Sequence, residues 1–446
     1  MPFSHLPADL SSWFFALSCA LDRRSAPRLN LLLLGALFAT GRRTVTSWFR
    51  AAGVTDEFRP AYSSLWAAGR LCRRIATNLL CDVLAGLIRL APGDRLLFAL
   101  DDTPTPRYGP EVQGAGIHHN PSPGPAGEAR VYGHVWVTLA WLAHHPRFGV
   151  LALPLRALLY VRRKDVPKLD AEYPWDFRTK LQLAVELVCW LLVWLSRAGK
   201  AVWVVADGAY AKAPLLKPLL AKGVVIVSRL RKDAALCDLP PAERRPGQRG
   251  PMPKYGKKRI SLAKRGGQKR GWQEVECLLY GKREVKQVKT FLATWRPAGG
   301  AIRVVLVREG EGWVAFFCTD TAAGVKDILE AVAARGAIEQ AFKDVKEVWG
   351  AGQQQVRNVY ASVGAFNVNL WMYSMVEAWA WGRPEGELSD RSRRPWDDQP
   401  RRPSHADKRK ALQREVLRGE IEAALAGRPS KGKIRELAER LLDLAA

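Results

Sequence analysis

Leu96-Leu97-Phe98-Ala99-Leu100-Asp101-Asp102-Thr103 is an apolar run that ends in two acids. Preceded by the turn pair Pro92-Gly93, it fits a short strand buried on both faces. Val202-Trp203-Val204-Val205-Ala206-Asp207-Gly208-Ala209-Tyr210 is a second such run and also ends in acid. Between the two, Val131–Leu142 and Phe148–Val161 are rich in Val, Leu and aromatics and read as a hairpin. Tyr173–Ala198 reads as a long helix stopped at Gly199. After the second run, Ala211–Ala221 reads as a helix and Val224–Ser228 as a strand. This order predicts an α/β core built on a mixed five-stranded sheet with helices on both faces.

The order is similar to that of a ribonuclease H-like core, in which the first and fourth strands are neighbours and set their carboxylates side by side. Side chains alternate along a strand, so one of Asp101 and Asp102 faces the site. Asp102, next to Thr103, is the preferred ligand, with Asp101 as the alternative. A third acid comes from Ala333-Ala-Arg-Gly-Ala-Ile-Glu-Gln-Ala-Phe-Lys-Asp-Val-Lys-Glu347. Ile338, Phe342 and Val345 have helical spacing, and Arg335, Glu339 and Lys346 are phased with one another. At about 100° per residue, four residues give about +40° and seven about −20°. Charges so spaced also occur on solvated helix faces, but two strands delivering Asp and a helix delivering Glu form a carboxylate set. Asp102, Asp207 and Glu339 offer only oxygen, which suits Mg²⁺ or Mn²⁺. Two such ions roughly 4 Å apart clamp an in-line displacement at phosphorus. Arg335 and Lys346, roughly 6 and 10.5 Å from Glu339 along the helix axis, are placed to hold phosphates on either side.

The composition agrees with a polyanionic partner. Lys plus Arg is 69 against 43 for Asp plus Glu, a formal charge of +26 over 446 residues. Double-stranded DNA is the partner this charge favours; a ribosomal or membrane-surface partner is the alternative. Seven scattered cysteines show no Cys-x-x-Cys pair, which argues against a zinc ribbon and a disulfide framework and points to reduced thiols in the cytoplasm. Leu29–Ala39 and Val188–Leu195 fall short of the ~18 apolar residues of a membrane span and read as buried helices. No signal peptide is evident at the N-terminus.

Five segments follow. Residues 1–92 read as a helical N-terminal domain. Within it Arg42, Arg43 and Arg50 flank a short helix that Thr44 caps, either a DNA-contacting helix–turn–helix or an ordinary helical pair. Residues 93–228 carry the first part of the core. Its Pro- and Gly-rich loop holds His118 and His119, with His134 nearby, placed for substrate contact and not for metal. Residues 229–324 read as a β-rich insertion with a basic arm, in which Lys258 and Arg259 stand among eight cations from Lys254 to Arg270 with no acid between them. Residues 325–382 complete the core, and Arg357 follows the Glu339 helix. Residues 383–446 read as a basic linker and two amphipathic helices, either a binding tail or a solubilising one.

Arg335-x-x-x-Glu339-x-x-x-x-x-x-Lys346 resembles the Tyr–Arg–Glu–Lys signature of one branch of the bacterial DDE transposases of insertion sequences. Asp101-Asp-Thr103, Ala206-Asp-Gly-Ala-Tyr210 and Gly352-Gln-Gln-Gln-Val-Arg-Asn358 are similar to motifs of the same branch. The resemblance spans about residues 93 to 380. It implies metal-dependent cleavage at element ends, transfer of the 3′ hydroxyl into target DNA, and a homodimer on two ends. It also implies a Trp in the insertion that stacks on a flipped base, for which Trp272, Trp295 and Trp313 are candidates, with strand packing as the other role of each. Val332 stands where the signature has Tyr. Two other readings remain: a silent DNA-binding regulator, against which three intact acids argue, and a ribonuclease H-like nuclease without strand transfer.

Overall fold

The structure, a computed structural model, describes residues 6–119, 128–169, 174–196, 199–243, 250–389 and 401–426, together with 432, 434, 435, 438 and 439. Residues 8–90 are helical: α1 (Ala8–Ser18), α2 (Ala26–Phe38), α3 (Val45–Ala51), α4 (Phe58–Arg70), α5 (Cys72–Asn78) and α6 (Ala85–Leu90). Thr44 caps α3 by accepting from the Ser47 amide, which satisfies one of the free donors of the first turn.

The core follows as β1 (Arg95–Pro106), β2 (Gly116–His119), β3 (Arg130–His145), β4 (Gly149–Tyr160), α7 (Lys180–Leu195), β5 (Ala201–Ala206), α8 (Ala213–Leu220) and β6 (Val225–Leu230). β1 runs antiparallel to β3 and parallel to β5, β5 runs parallel to β6, and β4 flanks β3. The resulting order β4-β3-β1-β5-β6 is a mixed sheet, consistent with the ribonuclease H-like expectation. Leu96 to Leu100 are all buried, as a central strand requires. α7 starts later than its apolar pattern suggests, because Thr179 and Gln182 form a capping box there.

β7 (Leu236–Cys237), β8 (Arg259–Ile260), α9 (Leu262–Gly267), β9 (Gln273–Leu279), β10 (Lys282–Trp295), β11 (Gly300–Glu309) and β12 (Gly312–Cys318) come next. These strands do not form a sheet apart. β12 pairs with β6 antiparallel, Phe317 opposite Ser228, so the meander β12-β11-β10 continues the core sheet to twelve strands.

The chain closes with α10 (Val325–Glu347), α11 (Val359–Ala380), α12 (Glu385–Leu388) and α13 (His405–Leu425). α11 seals the outer edge of β4. Asn367 exchanges hydrogen bonds with the Ala157 backbone, Trp371 donates to Leu155 O and Ser374 to Pro154 O. These positions, spaced four and three residues apart, lie on one helix face and satisfy a strand edge that would otherwise pair with another chain. The N-terminal helices pack directly on this layer: a Cβ at Gly69 of α4 would sit 1.8 Å from Tyr360 O of α11, and one at Gly364 would sit 2.2 Å from Leu65 O.

The cations at the start of α13 are buried instead of facing solvent. Lys408 and His405 hold the buried Glu377 carboxylate of α11 at 2.5 and 2.7 Å. Arg409 donates to Ala36 O, Leu37 O and Ala39 O at the end of α2 and to Val348 O after α10. These side chains therefore hold the fold together. The second tail helix, expected beyond Gly427, lies largely outside the described residues.

Candidate active site: acids and cations along one helix

α10 buries Ile338, Ala341, Phe342 and Val345 against the sheet. Arg335 and Glu339 are thereby turned toward the ends of β1 and β5. Arg335 Nη1 donates to Asp101 Oδ2 at 2.6 Å and Nη2 to Glu339 Oε1 at 2.7 Å. Asp207 directly follows β5, where its Oδ2 accepts from the Ala209 amide at 3.1 Å. Asp207, Arg335 and Glu339 line one cavity of about 430 Å³, with Ser228, Arg229 and Tyr280. Burial pushes the Asp101 carboxyl up to about 6; Arg335 pulls it back, while Asp102 and Asp207 add to the rise.

Asp102 faces away from this cavity. Its carboxylate accepts from Lys180 Nζ at 2.6 Å and from the Tyr210 hydroxyl at 2.9 Å. Lys180 is the first residue of α7, placed there by the Thr179 cap. Burial and the Asp102 charge push the Tyr210 phenol well above its ordinary value. The preference for Asp102 over Asp101 is therefore at odds with the geometry. Alternation sends the two acids to opposite faces, and α10 covers the face of Asp101.

Lys346 is on α10 but not at the acids. With Arg42, Arg107, Tyr108, Gln353 and Arg357 it lines a separate cleft of about 740 Å³. Burial lowers its ammonium pKa. The expected phosphate ligands thus divide: Arg335 lies among the acids, Lys346 and Arg357 lie in the cleft, and Lys258 and Arg259 are exposed on the arm, lining neither space. The arginines of the N-terminal segment divide too. Arg42 reaches the cleft. Arg43 is clamped beside it, its amide donating to Gln353 Oε1 at 2.8 Å and its carbonyl accepting from Gln354 Nε2 at 2.9 Å. Arg50 is exposed in the last turn of α3.

Of the histidines, His134 is fully buried and bonded to Arg107 and to Gln113 O, while His118 packs its ring on Tyr160. Of the tryptophans, Trp295 is buried against Phe317. Trp272 lies under Lys289 and Arg308, and Trp313 under Lys232. All three rings have packing partners.

Sequence reading missed Arg107, Lys180 and Tyr280, and it met Tyr210 only as part of a motif, without a role. Tyr280 joins β9 to β10, has φ 52 and is 78% exposed. It sits at the acid cavity, 3.3 Å from where a Gly336 Cβ would be. Val332, at the position where the signature has Tyr, lines the same cavity. The dipeptide Tyr280-Gly281 between two alternating runs was the available signal, since both residues have positive φ as a two-residue hairpin turn demands.

Among the described residues, no three of His, Cys, Asp and Glu converge closely enough to hold a metal ion. A guanidinium instead bridges Asp101 and Glu339. Asp101 and Glu339, with Asp207 lining the same cavity as Glu339, offer only carboxylate oxygen, the donor type that suits a hard divalent ion. No described helix is long and apolar enough to cross a membrane.

A comparison with curated proteins finds no match. A family model described as DDE superfamily endonuclease matches residues 16–297, a span that takes in Asp101, Asp102 and Asp207 and ends before Glu339. That match covers well over half of the chain, which belongs to the DDE superfamily endonucleases, a family of transposase-type nucleases acting on DNA.

Proposed function

We propose that this protein is the transposase of an insertion sequence, cutting DNA at element ends and joining the freed 3′ hydroxyl to target DNA. The observation that carries the reading is Arg335 tying Asp101 to Glu339 beside Asp207, with a basic cleft further along the same helix. Asp101, Asp207 and Glu339 are the residues that would hold two divalent ions, Mg²⁺ or Mn²⁺ in its place. When bound, the ions supply activation of the attacking hydroxyl and stabilisation of the leaving oxygen.

The chain's own residues do the rest. Arg335 releases the carboxylates and takes a non-bridging phosphate oxygen, a fork that suits either partner. Lys346, ~10.5 Å along the axis from Glu339, holds a phosphate one or two nucleotides away. Lys180 and Tyr210 fix the Asp102 carboxylate and so hold the end of β1 in place. Tyr280 presents an exposed ring at the rim of the cavity, where DNA would meet it. Two chains on two ends, in the bacterial cytoplasm, complete the assembly.

Strand transfer tests the proposal. A precut, labelled element end is incubated with a supercoiled target plasmid, purified protein and Mn²⁺. Joined product that disappears with Glu339→Gln supports a transposase. Cleavage of uncut ends without joining of precut ones would point to a nuclease alone.

A further inference from the structure

The separate cleft lined by Lys346 is built around a guanidinium that has no acidic partner among the described residues. Arg107 is only 6% exposed, and its guanidinium is bonded to neutral groups: Nε donates to His134 Nδ1 at 3.0 Å, and Nη1 donates to the Gln354 carbonyl. His134 Nε2 is 2.9 Å from Gln113 O. With Nδ1 accepting, the ring proton is on Nε2 and the imidazole is neutral. An imidazolium would set two donors against each other, and burial with Arg107 nearby pushes His134 down to about 3. Burial lowers the Arg107 pKa, to about 10, and burial lowers that of Lys346; among the described residues no acid offsets either. Buried cations are ordinarily paired, because an uncompensated charge in a low-dielectric setting is costly. Here the buried Arg107 and the half-buried Lys346, with Arg42 and Arg357, converge on one open cleft beside the exposed ring of Tyr108.

We propose that this cleft is a built binding site for the phosphodiester backbone of DNA, anchored by Arg107, with His134 as the residue that positions it. The proposal rests on the reading of the chain as a DNA-cutting enzyme and adds a site outside the acids. Its volume is within the ~300–1,000 Å³ of small-ligand sites, so it takes a short stretch of one strand. The site also draws on both ends of the sequence. The backbone of Arg43 is locked to Gln353 and Gln354, and Arg409 ties the end of α2 to the end of α10. Arg42 from the N-terminal segment and Lys346 from α10 therefore face the same strand.

The test is equilibrium binding of the full chain to a fluorescein-labelled duplex, and separately to one of its strands, in EDTA over a range of salt. Arg107→Gln is expected to weaken binding about tenfold in at least one arm, the worth of a charge-assisted hydrogen bond. The slope of log K against log salt falls by about 0.9 for duplex or 0.7 for single strand, one phosphate lost. His134→Leu weakens binding with the slope retained, because the charge is still present but no longer aimed; a merely structural change would lower the melting temperature alone. If Arg107→Gln does not fold, Arg107→Lys and Lys346→Gln read out the same site. Unchanged affinity and slope in folded Arg107 and Lys346 variants overturn the assignment and leave metal-dependent cleavage standing. Absence of DNA binding by the unaltered protein in both arms overturns the underlying reading as well.

Discussion

Arg335 and Asp101 meet at 2.6 Å across the space between α10 and β1. The contact favours Asp101 as the acid of the proposed site, because Asp102 is engaged on the other face by Lys180 and Tyr210. Asp101→Asn is expected to lower strand cleavage by more than about 10³-fold, the loss of several kcal/mol of metal-supplied stabilisation. Asp102→Asn is expected to stay within about tenfold of the unaltered protein, the scale of a lost charge-assisted hydrogen bond. Single-turnover rates on labelled ends separate the two, and the reverse order would return the role to Asp102.

Tyr280 is held in a left-handed conformation that glycine adopts without strain. Tyr280→Gly is expected to stabilise the protein by about 1 kcal/mol. The same change removes the ring from the acid cavity, so cleavage falls while the melting temperature rises. A variant that gains stability with full activity would show that the ring has no part in the site.

The crossing of α4 and α11 leaves no room for a methyl group at Gly69. Gly69→Ala is expected to cost about 3 kcal/mol, the upper range for overpacking. Denaturant unfolding checks this; a cost under 1 kcal/mol would mean that the helices separate easily.

His134 gives the fold an acid dependence. Its pKa is lowered from 6.5 to about 3 in the folded chain, so the unfolded chain binds the extra proton first as pH falls. This contribution to stability is full above about pH 6.5 and is lost as pH falls toward about 3. One such group accounts for about 1 kcal/mol between pH 6 and pH 5. His134→Gln, which keeps a donor and an acceptor without titrating, is expected to flatten the unfolding free energy over that interval. An unchanged slope would mean that His134 is protonated in the folded protein.

The strands that carry the acids were legible because buried runs such as Leu96–Leu100 and Val202–Ala206 are bounded by turn residues and acids. The face was not. Alternation says that Asp101 and Asp102 oppose each other, but only the packing of α10 says which faces Glu339. Lys346 shares its helical phase with Glu339, yet the loop around Arg42 and the Gln353–Gln355 turn close a second space around it. Arg107, Lys408 and Arg409 look like surface cations in a basic sequence. Their burial depends on partners far along the chain, which no local pattern reveals.

The most direct measurement is cleavage of DNA that spans the two boundaries of the element, both strands labelled, with purified protein and Mg²⁺ or Mn²⁺. The account predicts cuts at one repeated boundary that require the ion and vanish in Asp207→Ala, while that variant still binds the DNA. Cuts that persist in Asp207→Ala, or DNA binding with no cut by the unaltered protein under either ion, would contradict it.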